Sequence, residues 1–156
     1  MTSPTRSEDL TALINERCAT LRSPRVVTSG NAAVPHTLLS VVDSVLPRYR
    51  LNILNAPKGI PHRDGVIHET SFVGVGMRNS PTLAYVPARL SMVPTLFSRT
   101  LHPDVVLVHT SAPVDGKVSL GIEVNVLPAA IEAVRRRGGL VLAQVNPTMP
   151  YTYGDG

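Results

Sequence analysis

The chain has 156 residues, which is enough for one domain with a substantial core, and 43% of them are hydrophobic while 17% are charged. That balance excludes a disordered chain, and fourteen prolines with eleven glycines indicate tight turns between short elements. The net charge of +4 suits an anionic ligand, but four Tyr and two Phe offer little base stacking, so we expect no nucleic-acid partner.

We expect neither a membrane anchor nor a secretory signal in these residues. No apolar run approaches the roughly 20 residues that a membrane-spanning helix needs, and residues 1–9 are polar. The single cysteine, Cys18, has no partner for an internal disulfide, which agrees with a reducing compartment. We therefore expect a cytoplasmic protein with no membrane partner, and Cys18, at an apolar position of a helical pattern, packed in the core.

Helical and strand-like patterns alternate along the chain. In order, they predict a leading helix within residues 1–24, a strand at 25–28, a helix at 35–45, strands at 51–54 and 66–73, a helix at 91–99, a strand at 104–109, a hairpin arm at 117–120, a helix at 125–137 and a strand at 140–145. Three local signals support these bounds: Pro35 suits a first helical turn, Ser91 is a candidate N-cap, and Asp115-Gly116 favours a hairpin turn. Several strands are apolar throughout, which is typical of parallel strands buried on both faces. We predict a single α/β domain, with a mostly parallel sheet flanked by helices over residues 25–156.

Several site chemistries have no support in the sequence. The five histidines, at 36, 62, 68, 102 and 109, lack metal-ligand spacing, and one cysteine cannot build a zinc site, so no metal is expected. A serine hydrolase would need a Gly-x-Ser-x-Gly elbow, which the chain lacks. Gly74-Val75-Gly76 begins like a dinucleotide-binding loop, but the third glycine is missing.

Three junctions place glycine or asparagine just after an apolar strand, where ligands gather in parallel sheets. Each alone is typical of an ordinary turn, whereas three together favour a shared cleft in which backbone N–H groups face a ligand. The predicted binding residues at these junctions are Ser29, Gly30, Asn31, Gly74, Gly76, Met77, Arg78, Asn146, Pro147 and Met149.

Four segments carry family-like blocks in a fixed order: SFVGVGMRN (71–79), YVPARLSMVPTLF (85–97), DVVLVHTSAPVDGKVSLGIEVN (104–125) and VLAQVNPTMPYTYGDG (141–156). Together they resemble the N-terminal half of the acetyl-CoA hydrolase/transferase family, which contains the 4-hydroxybutyrate, acetate and butyryl CoA-transferases. The resemblance extends over nearly the whole chain from Arg25. Two departures are Gln144, where the family usually has Glu, and Tyr151, where it usually has Arg. Acyl specificity therefore cannot be carried over.

The resemblance implies a NagB/RpiA-like α/β half of an enzyme that moves CoA between an acyl-CoA and a carboxylic acid. The implied nucleophile is a glutamate in a C-terminal half that this chain lacks; it forms an acyl-glutamyl anhydride and then a glutamyl-CoA thioester. Coenzyme A, present as the acyl-CoA substrate, is the only implied cofactor. The expected partners are acyl-CoA, a small carboxylic acid and the C-terminal half or a second subunit, within an oligomer. The chain alone is expected to be inactive.

Within this chain, Glu123 is the best candidate for an internal nucleophile, although the family motif places none there. The glycine junctions would supply oxyanion donors, Asn146 would orient the acyl group or the acid, and Met149 would give an adaptable apolar contact. Arg78 would pair with a carboxylate or a CoA phosphate, or would form an ordinary surface ion pair.

Two other functions stay open at this point. One is a non-catalytic scaffold of the same fold that binds CoA or a partner. The other is a nucleotide-binding regulator, which rests only on Gly74 and Gly76. The residues do not fix the acyl group, the acceptor acid or the choice between transfer and hydrolysis.

Overall fold

Helices and strands alternate through the computed structural model, which describes residues 6–153. In chain order the elements are α1 (Ser7–Cys18), β1 (Arg25–Thr28), α2 (His36–Val45), β2 (Tyr49–Asn52), β3 (Val66–Thr70), β4 (Leu83–Tyr85), α3 (Val93–Arg99), β5 (Val105–Thr110), α4 (Leu127–Arg136) and β6 (Leu140–Val145). Two short 3-10 turns, Asn31–Ala33 and Leu90–Met92, precede α2 and α3.

The six strands form one sheet in the order β4-β3-β2-β1-β5-β6, and every neighbouring pair is parallel. Parallel pairing puts all the carboxyl ends of the strands along one side, which we call the carboxyl edge. Successive strand residues face opposite sides: Val26 packs in the core with α1 and α2, and Val27 in the core with α3 and α4. The predicted α/β fold is confirmed, and the sheet is parallel throughout.

The helices bury residues spaced three or four apart: Leu38, Leu39 and Val42 in α2, and Leu127, Ala130, Ala133 and Val134 in α4. Cys18 of α1 is buried as expected; burial raises the pKa of its thiol, and the charge of Asp104 adds to the effect. This thiol therefore serves packing. Among residues 6–153, no helix combines the length and apolar character that spanning a membrane requires.

Two strands end earlier than the apolar patterns predict. β2 ends at Asn52 rather than at residue 54, because Asn55 adopts a left-handed backbone (φ 50°) that turns the chain while the two residues before it stay buried. β3 ends at Thr70, because its Oγ1 accepts a hydrogen bond from the Phe72 N–H and closes a turn. β4 has no counterpart among the predicted elements, since a three-residue edge strand is too short to show a period.

Two local predictions are wrong. Ser91 does not cap α3: it lies inside the preceding 3-10 turn, and Met92 occupies the N-cap position without a side-chain bond. Residues 117–120 do not form a hairpin arm. The turn at Asp115-Gly116 makes only an isolated bridge between Val114 and Lys117, after which the chain is organised by side-chain hydrogen bonds.

Candidate functional site at the carboxyl edge

Loops that follow β1, β2 and β5 meet at the carboxyl edge around one buried carboxylate. Glu123 is 8% exposed and accepts a hydrogen bond from Asn31 Nδ2 at 2.7 Å and a longer one from Asn125 Nδ2 at 3.4 Å. Oδ1 of Asn31 accepts a hydrogen bond from Nδ2 of Asn55. The fold thus joins Asn31 to Glu123 and adds two asparagines that the sequence analysis did not select.

The three asparagines share one backbone conformation. Asn31, Asn55 and Asn125 have φ values of 48°, 50° and 34°, in the left-handed region that asparagine tolerates better than most other non-glycine residues. Each turns the chain sharply at the point where its side chain enters the network. All three are exposed while Glu123 is buried, so the amide side of the network faces solvent.

Glu123 is stabilised by amides alone. Within the described part of the chain, its carboxylate forms no salt bridge, and no three His, Cys, Asp or Glu side chains gather into a metal-binding group. A buried charge is costly unless hydrogen bonds compensate it. The two asparagine donors supply that compensation.

The glycines of the predicted junctions permit close packing. A Cβ added at Gly30, Gly74 or Gly76 would lie 2.0, 2.4 or 1.9 Å from a backbone atom of residues 54–57. The loops after β1 and β3 are therefore pressed against the start of the β2–β3 loop. The N–H of Gly76 donates to the Ala56 carbonyl at 2.9 Å, so it does not face a ligand as the sequence analysis expected.

Three further predicted residues lie in different surroundings. Ser29 is buried, and its Oγ accepts a hydrogen bond from the His109 N–H at 3.3 Å, which ties the end of β1 to β5. Met77 is fully buried in the core with α1 and α2, so its side chain does not reach a ligand at the surface. Arg78 is exposed in the β3–β4 loop and makes no ion pair with a described carboxylate.

The loop after β6 packs on the β5–α4 loop. Oδ1 of Asn146 accepts hydrogen bonds from the Thr148 N–H at 3.0 Å and the Thr148 hydroxyl at 2.8 Å, which closes a turn at the exposed Pro147. Met149 is buried against Gly121, where an added Cβ would lie 2.4 Å from the Met149 Sδ. The binding side chains predicted in this loop are thus largely occupied by their own chain.

Ser119 fastens the same two loops. Its Oγ accepts hydrogen bonds from the Gly121 N–H at 3.0 Å and the Thr152 N–H at 3.1 Å, and it lies 2.7 Å from the Thr152 hydroxyl. The N–H of Ser119 donates to Ser111 Oγ at 3.0 Å. Sequence patterns did not reveal this clamp, because the run around Ser119 resembles a hairpin strand.

A second polar group lies at the first turn of α2. Oε1 of Gln144 accepts a hydrogen bond from the Leu38 N–H at 3.0 Å and so satisfies a donor that the helix leaves unpaired.

The ring of His109, near the end of β5, is partly buried. Its Nδ1 is buried without a hydrogen-bond partner among residues 6–153. Burial lowers the pKa of His109, the Ala33 carbonyl near the ring opposes this, and His36 lowers it further. The net shift favours the neutral imidazole.

Exposed apolar side chains accompany the polar network. They occupy the end of β6 and the loops that follow β3, β5 and β6, and they are 36–96% exposed: Phe72, Val75, Val114, Val118, Ile122, Val124, Val145 and Tyr153. Ile122 and Val124 flank the buried Glu123 directly. Exposed apolar side chains mark a surface that a partner covers when they form one contiguous patch, whereas scattered ones are ordinary.

Solved structures share the fold. RipA from Yersinia pestis superposes with a TM-score of 0.73 over 97% of this chain at 18% sequence identity, and two RipA point variants give 0.75 and 0.74 over 97% at 18% and 19% identity. The chain spans 41% of RipA and 40% of each variant. It matches no protein-family model and no curated protein. The chain therefore shares its parallel α/β fold with one part of RipA.

Proposed function

We propose that this chain is the N-terminal half, or one subunit, of a CoA-transferase or acyl-CoA hydrolase that acts on an acyl-CoA and a small carboxylic acid. Four sequence blocks in the order typical of the acetyl-CoA hydrolase/transferase family support the proposal, and so does the fold shared with RipA, a protein of the CoA-transferase family. Because the chain spans 41% of RipA, we propose that a second α/β half or subunit completes the site.

The meeting of loops at the carboxyl edge is the observation that carries the proposal. Asn31, Asn55 and Glu123 come from three separate loops and form one network, at the edge where parallel α/β sheets bind ligands. Oδ1 of Asn55 and the exposed guanidinium of Arg78 are available to an acyl-CoA, and Arg78 also to a carboxylate. The apolar side chains that accompany the network suit the second half.

The second half would supply the nucleophile. In the proposed reaction, a glutamate carboxylate of that half attacks the acyl-CoA carbonyl, which gives an acyl-glutamyl anhydride and releases CoA as a thiolate. The thiolate then attacks the glutamyl carbonyl, releases the acyl group as a carboxylate and forms a glutamyl-CoA thioester. The incoming acid reverses both steps to form the new acyl-CoA, whereas water in its place gives hydrolysis.

Glu123 is poorly suited to be that nucleophile. It is buried, and the side-chain amides of Asn31 and Asn125 already bind its two carboxylate oxygens, so an acyl-CoA carbonyl has little access to it. We propose that this chain lines one side of the active site, where it orients the acyl group and excludes water. Asn146 would contribute its side-chain amide nitrogen to this lining, because its side-chain oxygen already accepts hydrogen bonds from Thr148.

Reconstitution tests the proposal. The chain is mixed with a second α/β half, taken from the adjacent coding sequence or from a related CoA-transferase, and transfer of CoA from acetyl-CoA to propanoate is followed by mass spectrometry. We expect turnover and a CoA thioester on the second half in the mixture, and neither with this chain alone. Turnover by this chain alone would overturn the proposed division of roles. A complex that binds acyl-CoA without turnover would instead identify a non-catalytic scaffold.

A further inference from the structure

Glu123 fixes the direction of the hydrogen bonds in the network. An ionised carboxylate accepts hydrogen bonds and donates none, so Asn31 must turn its Nδ2 toward Glu123. Oδ1 of Asn31 then faces Asn55, which must donate from its own Nδ2. The remaining Oδ1 of Asn55 accepts no hydrogen bond from residues 6–153, and Asn55 is exposed.

We propose that Glu123, Asn31 and Asn55 form a directional relay that presents Oδ1 of Asn55 to an N–H or O–H group of the ligand. Hydrogen bonds aligned head to tail polarise one another, and here the series begins at a buried carboxylate. The terminal carbonyl oxygen is therefore a stronger acceptor than that of an isolated amide. The inference rests on the proposed function for the identity of the ligand.

The backbone holds the relay in place before a ligand arrives. The left-handed conformations of Asn31 and Asn55 set where each side chain begins. Gly30 brings the two loops together, because the space that its Cβ would fill is taken by the carbonyl oxygen of Leu54, 2.0 Å away. A preorganised acceptor pays little ordering entropy on binding.

Two parts of the proposed substrates carry a suitable donor. The pantetheine arm of CoA has amide N–H groups, and a hydroxylated acid has an O–H group. A plain carboxylate such as butanoate has neither and presents only acceptors to Asn55. Comparison of these ligands therefore identifies which group the relay binds.

The test is an NMR titration of the full 156-residue chain with pantetheine, 3-hydroxybutanoate and butanoate. We expect pantetheine or 3-hydroxybutanoate to shift the Asn55 side-chain amide, and butanoate to leave it unchanged. Two variants test the residues of the relay. N55G keeps the left-handed backbone and removes the acceptor oxygen, so binding of the donor ligand should be lost. E123Q keeps the shape of the side chain, but its amide can donate as well as accept, so the hydrogen bonds of the relay no longer have a fixed direction. It should weaken binding of the donor ligand about 3- to 10-fold. N79A, at an exposed asparagine of the β3–β4 loop, is the matched control and should bind as the parent does.

The relay is overturned if neither donor ligand shifts Asn55, or if N55G binds as well as the parent chain. Unchanged affinity in E123Q, with folding verified by thermal melting, would reduce Glu123 to a structural tie and would equally overturn it. These readouts do not depend on turnover. Transfer by the reconstituted enzyme without donor binding at Asn55 would therefore remove the relay and leave the proposed function in place.

Discussion

Asn31 and Glu123 are 92 residues apart in the chain, yet Nδ2 of the first lies 2.7 Å from Oε2 of the second. The contact joins the loop after β1 to the loop after β5, two strands that are neighbours in the sheet. It also marks the place where exposed polar groups and exposed apolar side chains come together at the carboxyl edge.

The tight contact at Gly76 predicts a large loss of stability in Gly76→Ala. The new Cβ would lie 1.9 Å from the Pro57 carbonyl oxygen, so the β2–β3 and β3–β4 loops would have to separate. We expect the free energy of unfolding to fall by more than about 2 kcal/mol, measured by urea denaturation. Gly116→Ala is the control: it meets open space and should cost about 1 kcal/mol for its φ of 77°. Equal losses would contradict the packing role.

Glu69 should contribute far more to stability than an exposed glutamate. It is 2% exposed, its Oε1 lies 2.7 Å from Arg25 Nε, and Asn52 Nδ2 donates to it at 3.0 Å. Glu69→Ala leaves the largely buried Arg25 charge unpaired and should cost about 3–5 kcal/mol. Glu132→Ala removes only an exposed helical ion pair and should cost less than about 1 kcal/mol. Thermal or urea unfolding of both variants checks the difference.

Acidification should destabilise the fold through His68. The ring lies 2.6 Å from Ser80 Oγ and 2.8 Å from the Pro61 carbonyl; burial lowers its pKa, Pro61 opposes this, and His62 adds to the lowering. Because the folded state holds this histidine neutral, the unfolded state binds more protons once the pH falls below about 6.5.

His68 should therefore leave the free energy of unfolding unchanged between pH 8 and about 7. Below about pH 6.5 the free energy of unfolding should decline, by at most about 1.4 kcal/mol per pH unit for one titrating group. Urea unfolding at several pH values measures the decline. His68→Gln should reduce the slope, although His109, whose pKa is also lowered, will keep part of it. The same slope in His68→Gln as in the parent chain would show that His68 does not contribute.

Removal of the Ser119 hydroxyl should release the loop that follows β6. Ser119→Ala loses the acceptor that binds the Gly121 and Thr152 N–H groups. We expect faster amide hydrogen exchange at Met149 and Thr152 and a stability loss of about 1–3 kcal/mol. Ser98→Ala removes one exposed helix contact to Thr95 and should change neither. Protection that is unchanged in Ser119→Ala would show that other contacts hold the loop.

The overall layout could be predicted from the sequence because its signals are local. Apolar runs such as β5 and the spacing in α1 mark buried strands and amphipathic helices without knowledge of their neighbours. The ends of β2 and β3 could not be placed so well. Asn55 stops β2 by a backbone turn inside an apolar run, and Thr70 stops β3 by a local hydrogen bond.

The site could be predicted only as a set of separate junctions. Asn31 and Glu123 each follow a local pattern, but their contact depends on strand order, which the sequence alone does not reveal. A glycine after a strand also has two possible roles, because the missing Cβ can either leave the backbone N–H open to a ligand or allow another loop to pack closely. At Gly76 it allows close packing. The available signal was the residue type itself: asparagine tolerates the left-handed turns that Asn55 and Asn125 adopt, so loop asparagines near these junctions were candidates.

The rate of CoA transfer by the reconstituted enzyme, compared between the parent chain and Asn31→Gly, tests most directly whether the carboxyl edge is half of an active site. Glycine keeps the left-handed backbone and removes the amide that contacts Glu123 and Asn55. We predict that transfer, measured well below the melting temperature of every variant, falls at least about tenfold in Asn31→Gly and stays at the parent rate in Asn79→Gly, the control at an exposed asparagine. Transfer by this chain without a second half, or full activity in Asn31→Gly, would contradict the proposed role of this edge.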